Sequence, residues 1–396
     1  MQPISSTAFS NPTELFVAAT NDRKNEKQPV LGKVLHVING EHFSGAERVQ
    51  QLLGKRLDQY GFETSFACIK PGRFREHCEL RESQLNDFPM AGRLDFSIVS
   101  QIARKVVAEE FDLLHAHTPR SSLITAMVAH RTKRPWLYHV HSPTSRDSTR
   151  GVVNRINQWI ESYSVRSADR ILTVSKSLRR EMLKRGVQRR RLSVVPNGVP
   201  AIEPIDCAAR KHSQRWRVGM LALMRPRKGV EIALQAMRLL RDKHIPISLD
   251  LIGGFETKEY EDQILWLIES MGLSDSVTWR GFTREVPLAI SKLDALVLPS
   301  LFGEGMPMVV LEALAAGVPV VATRVEGTPE VVRHGIEGLL AKPCDANDLA
   351  TQLHRLVSDR DTWSNMSQAA VLRHRSHFSD DRMAQRVARA YEATLS

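Results

Sequence analysis

The chain has 396 residues, of which 42% are hydrophobic and 25% are charged, and its formal net charge is +11. These proportions are ordinary for a globular protein and exclude a chain that is disordered throughout, while the length predicts two or three domains. The surplus of positive charge favours partners that carry phosphate, such as phosphorylated substrates, anionic lipid or nucleic acid. No apolar run approaches the roughly 18 residues that span a bilayer.

The N-terminal segment, residues 1–30, is polar and lacks the pattern of a signal peptide, so we expect a loose tail. The cysteines have no paired spacing, which argues against a disulfide framework or a zinc site and suits the reducing cytosol. These cysteines are Cys68, Cys78, Cys207 and Cys344.

The first half of the chain alternates short apolar, β-branched segments with helical stretches. The segments that predict buried strands are "KVLHVI", "TSFACI", "FDLLHAH", "WLYHVHS", "RILTVS" and "LSVVPNG". The candidate helices between them are Ala46–Tyr60, Ser97–Glu110 and Asn154–Ser167. This alternation predicts a parallel sheet with crossover helices over residues 31–200.

The densest basic stretch, Ser177–Val195, carries seven basic residues and a single acid, Glu181. A solvated helix face followed by a loop is the simplest interpretation. A patch that docks on a membrane surface or on phosphate is the alternative. No interleaved aromatic residues or reader motif accompany the charge, so nucleic acid is not an expected partner.

The alternation breaks over residues 197–216, where two prolines and no apolar period predict a linker, which we place at 201–216. The alternation of apolar and helical segments restarts over residues 217–378. Its predicted strands are "RVGMLAL", "ISLDLIGG", "VTWRGF", "DALVLPS", "VPVVAT" and "EGLLAKP". The sequence therefore predicts two doubly wound, Rossmann-like α/β domains facing across a cleft, which bind ligands beyond the carboxyl ends of their strands. Residues 379–396 look helical and could return to the first domain.

Two glutamates lie eight positions apart in "GEGMPMVVLEALAAG". Glu304 follows a strand, and the next helix is expected to have Pro307 in its first turn and to stop at Gly317. Glu312 lies inside that apolar helix, where an unpaired carboxylate is costly. Sugar or ribose hydroxyls would supply donors, and the amides at the helix start would suit a pyrophosphate. Alternatively, Glu312 pairs with a core arginine and Glu304 caps the helix.

Motifs for other enzyme classes are absent or weak. The sequence contains neither GxGxxG nor GxxxxGK[ST], which argues against a dinucleotide dehydrogenase and a P-loop enzyme. A metal-dependent transferase would place a DxD at a strand end, but Asp359-Arg360-Asp361 lies in a polar helical segment typical of a solvated face. We therefore predict no essential metal.

The segment Phe302–Val332 closely resembles the E-x7-E segment of the retaining family-four glycosyltransferases, which have the GT-B fold. The segments "SGAERV", "ADRILTVSKSLRREMLKRGV", "LSVVPNGV" and "VGMLALMRPRKGVEIALQAM" are similar to the same family, in the same order, from about Lys33 to Leu340. The resemblance implies that the C-terminal domain holds a nucleoside diphosphate sugar as donor substrate and that the N-terminal domain presents the acceptor. It implies no cofactor besides this donor.

The resemblance also implies roles for residues of the second domain. Glu304 would contact the hydroxyls of the donor sugar, and Glu312 would contact the ribose. The backbone that would hold sugar and phosphate belongs to Gly305, Met306, Pro307 and Met308. The base would lie near the strand-end turns at Gly253, Gly254 and Phe282.

Two cations in "LMRPRKG", Arg225 and Lys228, would neutralise the diphosphate as negative charge develops on the leaving group. The family usually places its arginine five or six residues before the lysine, where this chain has Leu223 and Ala222. We therefore take Arg225 as the substitute. Surface charge at a strand-to-helix turn is the alternative interpretation of both residues.

In the first domain, Gly45 in "HFSGAERV" would bring a backbone amide against the diphosphate, unless it is an ordinary helix-start glycine. His117 ends a predicted strand at the cleft edge and matches the family's active-site histidine. His115, two residues earlier on the same strand face, is predicted to be a core histidine. His139 and His141 repeat the pattern one strand later, and His141 is the second candidate because it is nearer the strand end.

By resemblance, the reaction is a front-face substitution in which the departing phosphate oxygen helps to take the acceptor proton. The basic first half suits a lipid-diphosphate or otherwise anionic acceptor, a saccharide or lipid-linked saccharide of bacterial surface-polysaccharide assembly. The expected location is the cytosol, including the inner face of the cell membrane. The alternatives are a sugar-nucleotide epimerase or glycosyl phosphorylase on the same fold, and a non-catalytic protein that binds phosphate-rich surfaces.

Overall fold

The computed structural model describes residues 29–92, 95–143, 161–204 and 215–396. Within these ranges the chain forms two parallel sheets, one of seven strands and one of six. The predicted pair of doubly wound α/β sheets is therefore confirmed. Most of the predicted tail, residues 154–160 of a candidate helix, and residues 205–214 of the linker with Cys207 lie outside the described residues.

The first sheet contains strands β1 to β7. They are β1 Gly32–Ile38, β2 Phe62–Cys68, β3 Leu85–Asp87, β4 Leu113–Ala116, β5 Trp136–Val140, β6 Arg170–Thr173 and β7 Leu192–Val194. Their spatial order is β3-β2-β1-β4-β5-β6-β7, so the winding reverses between β1 and β4. Parallel sheets of this kind bind ligands beyond the carboxyl ends of the strands at such a reversal. Every residue of β4 and β5 is buried, which explains why the apolar residues of these strands are interrupted only by one histidine each, His115 and His139.

The helices that cover the first sheet begin with recognisable signals. They are α1 Gly45–Arg56, α2 Arg73–His77, α3 Ser97–Ala108, α4 Pro119–Thr132 and α5 Lys176–Lys184. At the start of α1, the Ser44 amide donates to Glu47 Oε2 at 3.1 Å, in a capping box. At the start of α4, Thr118 Oγ1 accepts from the Ser121 amide at 3.1 Å, and Pro119 occupies the first turn. These caps fix where α1 and α4 leave the sheet edge that carries the candidate site.

The second sheet is also a doubly wound parallel sheet and contains strands β8 to β13, in the order β10-β9-β8-β11-β12-β13. The strands are β8 Trp216–Leu221, β9 Ile247–Ile252, β10 Val277–Gly281, β11 Ala295–Leu298, β12 Val320–Thr323 and β13 Gly338–Ala341. Its helices are α6 Val230–Asp242, α7 Lys258–Ser270, α8 Val286–Ser291, α9 Met308–Ala315, α10 Thr328–Val331 and α11 Ala346–Ser358. Trp216, which we assigned to the linker, is the first residue of β8 and is buried.

We call the first sheet with its helices the first lobe and the second sheet with its helices the second lobe. The chain passes between the lobes twice, and the two crossing segments are bonded to each other. The Val199 amide donates to the Phe378 carbonyl at 2.9 Å, and the Asp380 amide donates to the Val199 carbonyl at 3.0 Å. A Cβ at Gly198 would lie 2.2 Å from the Ser379 carbonyl oxygen, so the segments touch backbone to backbone.

The C-terminal part of the chain packs first on the second lobe, where Trp363 Nε1 donates to the Asp294 carbonyl at 2.7 Å, and then returns to the first lobe. It contains α12 Arg360–Arg373, a π-helical turn His374–Phe378 and α13 Asp380–Leu395. Arg56 Nε donates to Asp380 Oδ2 at 2.7 Å, and the Tyr60 hydroxyl donates to Asp381 Oδ1 at 2.6 Å. These contacts join α13 to the end of α1 and to the turn that follows it. Among the described residues, no helix combines the length and the apolar character needed to cross a membrane.

Candidate functional site

The two lobes meet at the start of α1 and the loop before α9. A Cβ at Gly305 would lie 2.1 Å from the His141 carbonyl oxygen, so this close approach of two backbones requires glycine. A Cβ at Gly45 would lie 3.4 Å from Met308 Cγ, which places the start of α1 opposite the start of α9. The predicted diphosphate-binding glycine of the first lobe and the predicted donor loop of the second lobe therefore face each other.

The loop before α9 is buried and braced from the other lobe. Met306 is 5% exposed, and its carbonyl accepts from Asn197 Nδ2 at 3.2 Å. Pro307 is the N-cap residue of α9, one position earlier than predicted, and it has no side-chain hydrogen bond to the helix. The helix therefore starts at Met308, and the first amides of α9 are left without a cap from the preceding side chain.

Glu304 lies at the centre of the loop after β11, buried among cations. Its Oε1 accepts from Lys228 Nζ at 2.5 Å and from Ser300 Oγ at 2.7 Å, and Arg227 Nη1 lies 3.7 Å away. Burial alone would raise the pKa of Glu304, but the charges of Lys228 and Arg227 and the hydrogen bonds outweigh it and lower the pKa below its usual range. The carboxylate is therefore charged at neutral pH, and it does not cap the next helix.

The structure places Arg227, not Arg225, beside Glu304. Arg225 Nη1 lies 3.7 Å from Glu256 Oε1 instead. Arg227 is 7% exposed, and its Nη1 donates to the carbonyls of residues 302 and 303, at 3.3 Å each. Burial lowers the pKa of Lys228, and the charge of Glu304 opposes that shift. Sequence reasoning missed Arg227, although the single-turn helix that Pro226 begins groups residues 227 and 228.

Glu312 has a partner from the other lobe. It is 2% exposed on α9, and Arg48 on α1 donates to its Oε1. Its Oε2 has no hydrogen-bond partner among the described residues. Burial raises the pKa of Glu312, and Arg48 opposes that rise. The arginine pairing that we considered as an alternative is thus present, but Arg48 is a partly exposed residue of the first lobe rather than a core arginine. The ribose role of Glu312 stays a prediction.

Five histidines meet where the winding of the first sheet reverses, and we call them the histidine cluster. They are His36 on β1, His115 on β4, His117 directly after β4, His139 on β5 and His141 directly after β5. His36 Nδ1 lies 2.9 Å from His117 Nε2, and His117 Nδ1 lies 3.0 Å from His141 Nε2. The predicted active-site histidine, His117, is therefore the central member of a hydrogen-bonded row of rings.

The last helix of the chain completes the histidine cluster. The Tyr391 hydroxyl on α13 lies 2.6 Å from His115 Nδ1 and 3.3 Å from His36 Nε2. Burial lowers the pKa of His36 to about 3 and that of His141 to about 4, and it lowers the other three ring pKa values well below 6.5. The rings are therefore neutral at physiological pH and can act as hydrogen-bond acceptors.

The residues predicted to hold the base lie at the carboxyl ends of β9 and β10. Gly253 has φ +135°, and a Cβ there would lie 1.9 Å from the Ala222 carbonyl oxygen. The Gly253 carbonyl accepts from Trp279 Nε1 at 2.8 Å, and Phe282 is 75% exposed directly after β10. An exposed ring beside a glycine turn, at the same sheet edge as Glu304, suits the stacking of a base.

Comparison with known families decides to which family this chain belongs. A family model described as "Glycosyltransferase Family 4" matches residues 43–201, and a second, "Glycosyl transferases group 1", matches residues 204–373. The chain is a family-four glycosyltransferase. The two matches divide this glycosyltransferase where the chain first crosses between its lobes.

Relatives agree with that assignment. This glycosyltransferase is 23% identical over 347 residues to the UDP-Gal:alpha-D-GlcNAc-diphosphoundecaprenol alpha-1,3-galactosyltransferase of Escherichia coli, covering 83% of the chain and 88% of the relative. It is 28% identical over 243 residues to the O-antigen chain mannosyltransferase B of Escherichia coli, covering 58% and 62%. The crystal structure of Anabaena HepE in complex with UDP has a TM-score of 0.80 at 21% identity and covers 91% of this chain and 100% of HepE. The expected GT-B fold is confirmed.

Proposed function

We propose that this glycosyltransferase moves a sugar from a nucleoside diphosphate sugar, with retention of anomeric configuration, to a lipid-linked saccharide or polysaccharide precursor. The observation that carries the proposal is Glu304, a buried carboxylate held charged by Lys228 and Ser300 where the two lobes meet. A charged acceptor of hydrogen bonds in a buried loop suits the hydroxyl groups of a sugar ring. A cation beside it suits the phosphate to which that ring is attached.

The cations beside Glu304 supply the electrostatic part of the reaction. When the sugar–phosphate bond breaks, negative charge develops on the departing nucleoside diphosphate. Fixed positive groups then stabilise the transition state more than the ground state. Arg227 is buried and the Lys228 side chain is only 14% exposed, so their charges act through little water and need no large movement. We therefore expect transfer to need no added divalent cation, and we expect Arg227 to contribute more than Arg225.

The remaining predicted residues have complementary roles. Gly305 faces His141 of the first lobe and the Met308 side chain faces Gly45, so a diphosphate held there would contact both lobes. His117, neutral because of its burial, would contact the sugar or the acceptor as a hydrogen-bonding group rather than as a cation. The Glu304 carboxylate is held by Lys228 and Ser300 rather than free to attack a sugar, which favours front-face substitution over a covalent glycosyl-enzyme.

The choice of donor and acceptor rests on the relatives. The Escherichia coli relative is named for UDP-Gal and for a diphosphoundecaprenol acceptor, and HepE is crystallised with UDP. We infer a UDP-sugar donor and an acceptor carried on a lipid diphosphate. The exposed basic residues of 176–191 on the first lobe would meet such an acceptor at an anionic membrane surface, and the expected place of action is the inner face of that membrane.

The test begins with a thermal-shift screen of UDP, GDP and ADP sugars, in which a ligand at a hundred times its dissociation constant adds about 2.7 kcal/mol of stability. Release of nucleoside diphosphate that requires acceptor would then establish transfer. NMR of the product would report its anomeric configuration, and an inverted product would refute retention. Interconversion of the sugar without release of nucleotide would indicate an epimerase.

The matched variants are Glu304→Gln and Glu269→Gln, the second on the exposed side of α7. Glu304→Gln should lower kcat roughly 10²–10³-fold, the size of effect seen when one charge-stabilising group is removed. Glu269→Gln should leave kcat unchanged. A non-catalytic binding protein would show no transfer in any of the three forms.

A further inference from the structure

The histidine cluster contains more ring nitrogens than the proposed transfer uses. Both ring nitrogens of His139, Nδ1 of His141 and Nε2 of His115 are buried and have no hydrogen-bond partner among the described residues. Buried polar atoms are nearly always paired, so several unpaired atoms at one place require a physical explanation such as an ion. Each neutral ring can offer a lone pair from one of its two nitrogens, and the tautomer decides which one.

Three of the rings are arranged to share one ion. His117, His139 and His141 each offer a ring nitrogen, and the three nitrogens lie within 4.8 Å of one another. His117 Nδ1 and His141 Nε2 are 3.0 Å apart, and two nitrogen ligands of a tetrahedral zinc ion, with bonds of 2.0–2.1 Å, lie about 3.3 Å apart. A small adjustment of the rings would therefore open the space that an ion needs.

We propose that His117, His139 and His141 form a binding site for a divalent transition-metal ion, with Zn²⁺ as its expected occupant. A donor set made only of imidazole nitrogens suits Zn²⁺ and its neighbours in the transition series and does not suit Mg²⁺ or Ca²⁺, which prefer oxygen. Three protein ligands leave the fourth position of a tetrahedral ion for water or another small donor.

The neighbours of the three rings fit this assignment. His36 Nδ1 lies 2.9 Å from His117 Nε2, and the Tyr391 hydroxyl lies 3.3 Å from His36 Nε2. Groups of this kind, bonded to the far nitrogen of a ligand ring, orient the ring and select its tautomer. His141 is the most exposed of the three ligands, and its carbonyl contacts Gly305 at the junction of the lobes. An ion would therefore enter from that side.

A second group of rings in the same cluster is the weaker candidate. His36, His115 and His117 also have nitrogens within 4.8 Å of one another, but all three rings are fully or almost fully buried. His36 already contacts His117 and Tyr391, and His115 contacts Tyr391 at 2.6 Å. This group thus has fewer unpaired nitrogens and offers an ion no partly exposed ligand.

One consequence rests on the proposed function. Because His117 is also the ring expected to contact the sugar or the acceptor, a bound ion would compete for it, and Zn²⁺ should inhibit transfer. Binding itself is measured without donor or acceptor, so a failure of the proposed reaction would leave the metal result standing. A failure of metal binding would equally leave the transfer assay unaffected.

The experiment uses the full chain, freed of metal by a chelator and dialysed. Co²⁺ is titrated first, since a tetrahedral nitrogen site gives it strong visible absorption, and Zn²⁺ is then added to displace it. We expect one Co²⁺ per chain, displaced by one Zn²⁺. His139→Gln should weaken binding at least 100-fold, and His141→Gln should do the same if the first variant fails to fold.

Two variants serve as controls for the ligand assignment. His115→Gln alters a buried ring of the cluster outside the proposed site, and His130→Gln alters an exposed ring on α4. Both should bind Co²⁺ within a few-fold of the unaltered protein. The absence of saturable binding would overturn the proposal, and so would equal binding by His139→Gln and His141→Gln. Loss of binding in His115→Gln alone would assign the ion to the other group of rings and overturn this site.

Discussion

Replacement of Arg48 by methionine should destabilise the protein through Glu312, which lies on the other lobe. The Glu312 side chain is 3% exposed, and Arg48 is its partner, so the substitution leaves a buried carboxylate without a cation. The carboxylate can escape this state by taking up a proton. Protonating a carboxylate with an ordinary pKa of 4.5 costs about 3 kcal/mol at pH 7. This cost is the upper limit on the free energy of unfolding that the substitution can remove. Because burial already raises the pKa of Glu312 in the unaltered protein, we expect a loss of about 1–3 kcal/mol.

The dependence of this loss on pH follows from the direction of the pKa shift. A carboxyl whose folded pKa is raised binds more protons in the folded chain than in the unfolded chain, between the two pKa values. Stability therefore falls as pH rises through that window. At pH 5 the same upper limit shrinks to about 0.7 kcal/mol, so the difference between Arg48→Met and the unaltered protein should nearly disappear.

Urea unfolding, followed by tryptophan fluorescence at pH 7 and pH 5, measures both quantities. Glu312→Gln and the double variant complete a double-mutant cycle, in which the second substitution should restore most of the stability lost on the first. Arg180→Met, at an exposed position of α5, is the matched control for loss of one arginine. An Arg48→Met protein as stable as the control at pH 7 would refute the reasoning. A loss of equal size at both pH values would refute it too, because it would mean that packing rather than charge is responsible.

Acid should destabilise the first lobe, because five neutral rings are buried while the unfolded chain takes up protons below pH 6.5. The free energy of unfolding that each neutral ring contributes is fully present above pH 6.5, and about 1.4 kcal/mol per ring is lost by pH 5.5. Urea unfolding in metal-free buffer at the two pH values would measure this loss. The rings are His36, His115, His117, His139 and His141. Equal stability at pH 7.5 and pH 5.5 would contradict this. Tyr391→Phe removes the hydroxyl that His115 and His36 contact, and it should lower the free energy of unfolding by about 1 kcal/mol in the same assay. An unchanged free energy of unfolding would mean that the rings find other partners. The Glu330 carboxylate accepts hydrogen bonds from the amides of Lys176 and Ser177, at 2.7 Å each, at the start of α5. Glu330→Gln removes its charge and should lower the free energy of unfolding by about 1 kcal/mol. Hydrogen exchange of the amides at the start of α5 should become faster.

The strands of both lobes could be predicted because each lies in a sheet covered on both faces, which leaves a continuous apolar run in the sequence. Strand β3 was missed because it has only three residues, Leu-Asn-Asp, at the edge of the first sheet. Its pairing with β2, rather than any pattern of its own, makes it a strand. Local pattern therefore identifies central strands better than edge strands.

The candidate site was predictable where its residues lie in recognisable motifs and much less so where residues outside any motif meet only through the fold. Glu304 and Lys228 could be assigned from motifs, but Arg48 meets Glu312 across 264 positions of sequence. Likewise, the paired spacing of His115 with His117 is visible in the sequence. The approach of His36 depends on β1 lying beside β4, and that of Tyr391 depends on the return of the last helix.

The position of α13 has a consequence for recombination between relatives. The first lobe is assembled from two separate stretches of sequence, since Asp380–Leu395 packs on α1 and supplies Tyr391 to the histidines. A chimera spliced once, near residue 204, would set a foreign terminal helix against those partners. Exchange at two places, around Val199 and Ser379, would move each lobe intact, because the backbone there is already paired side by side.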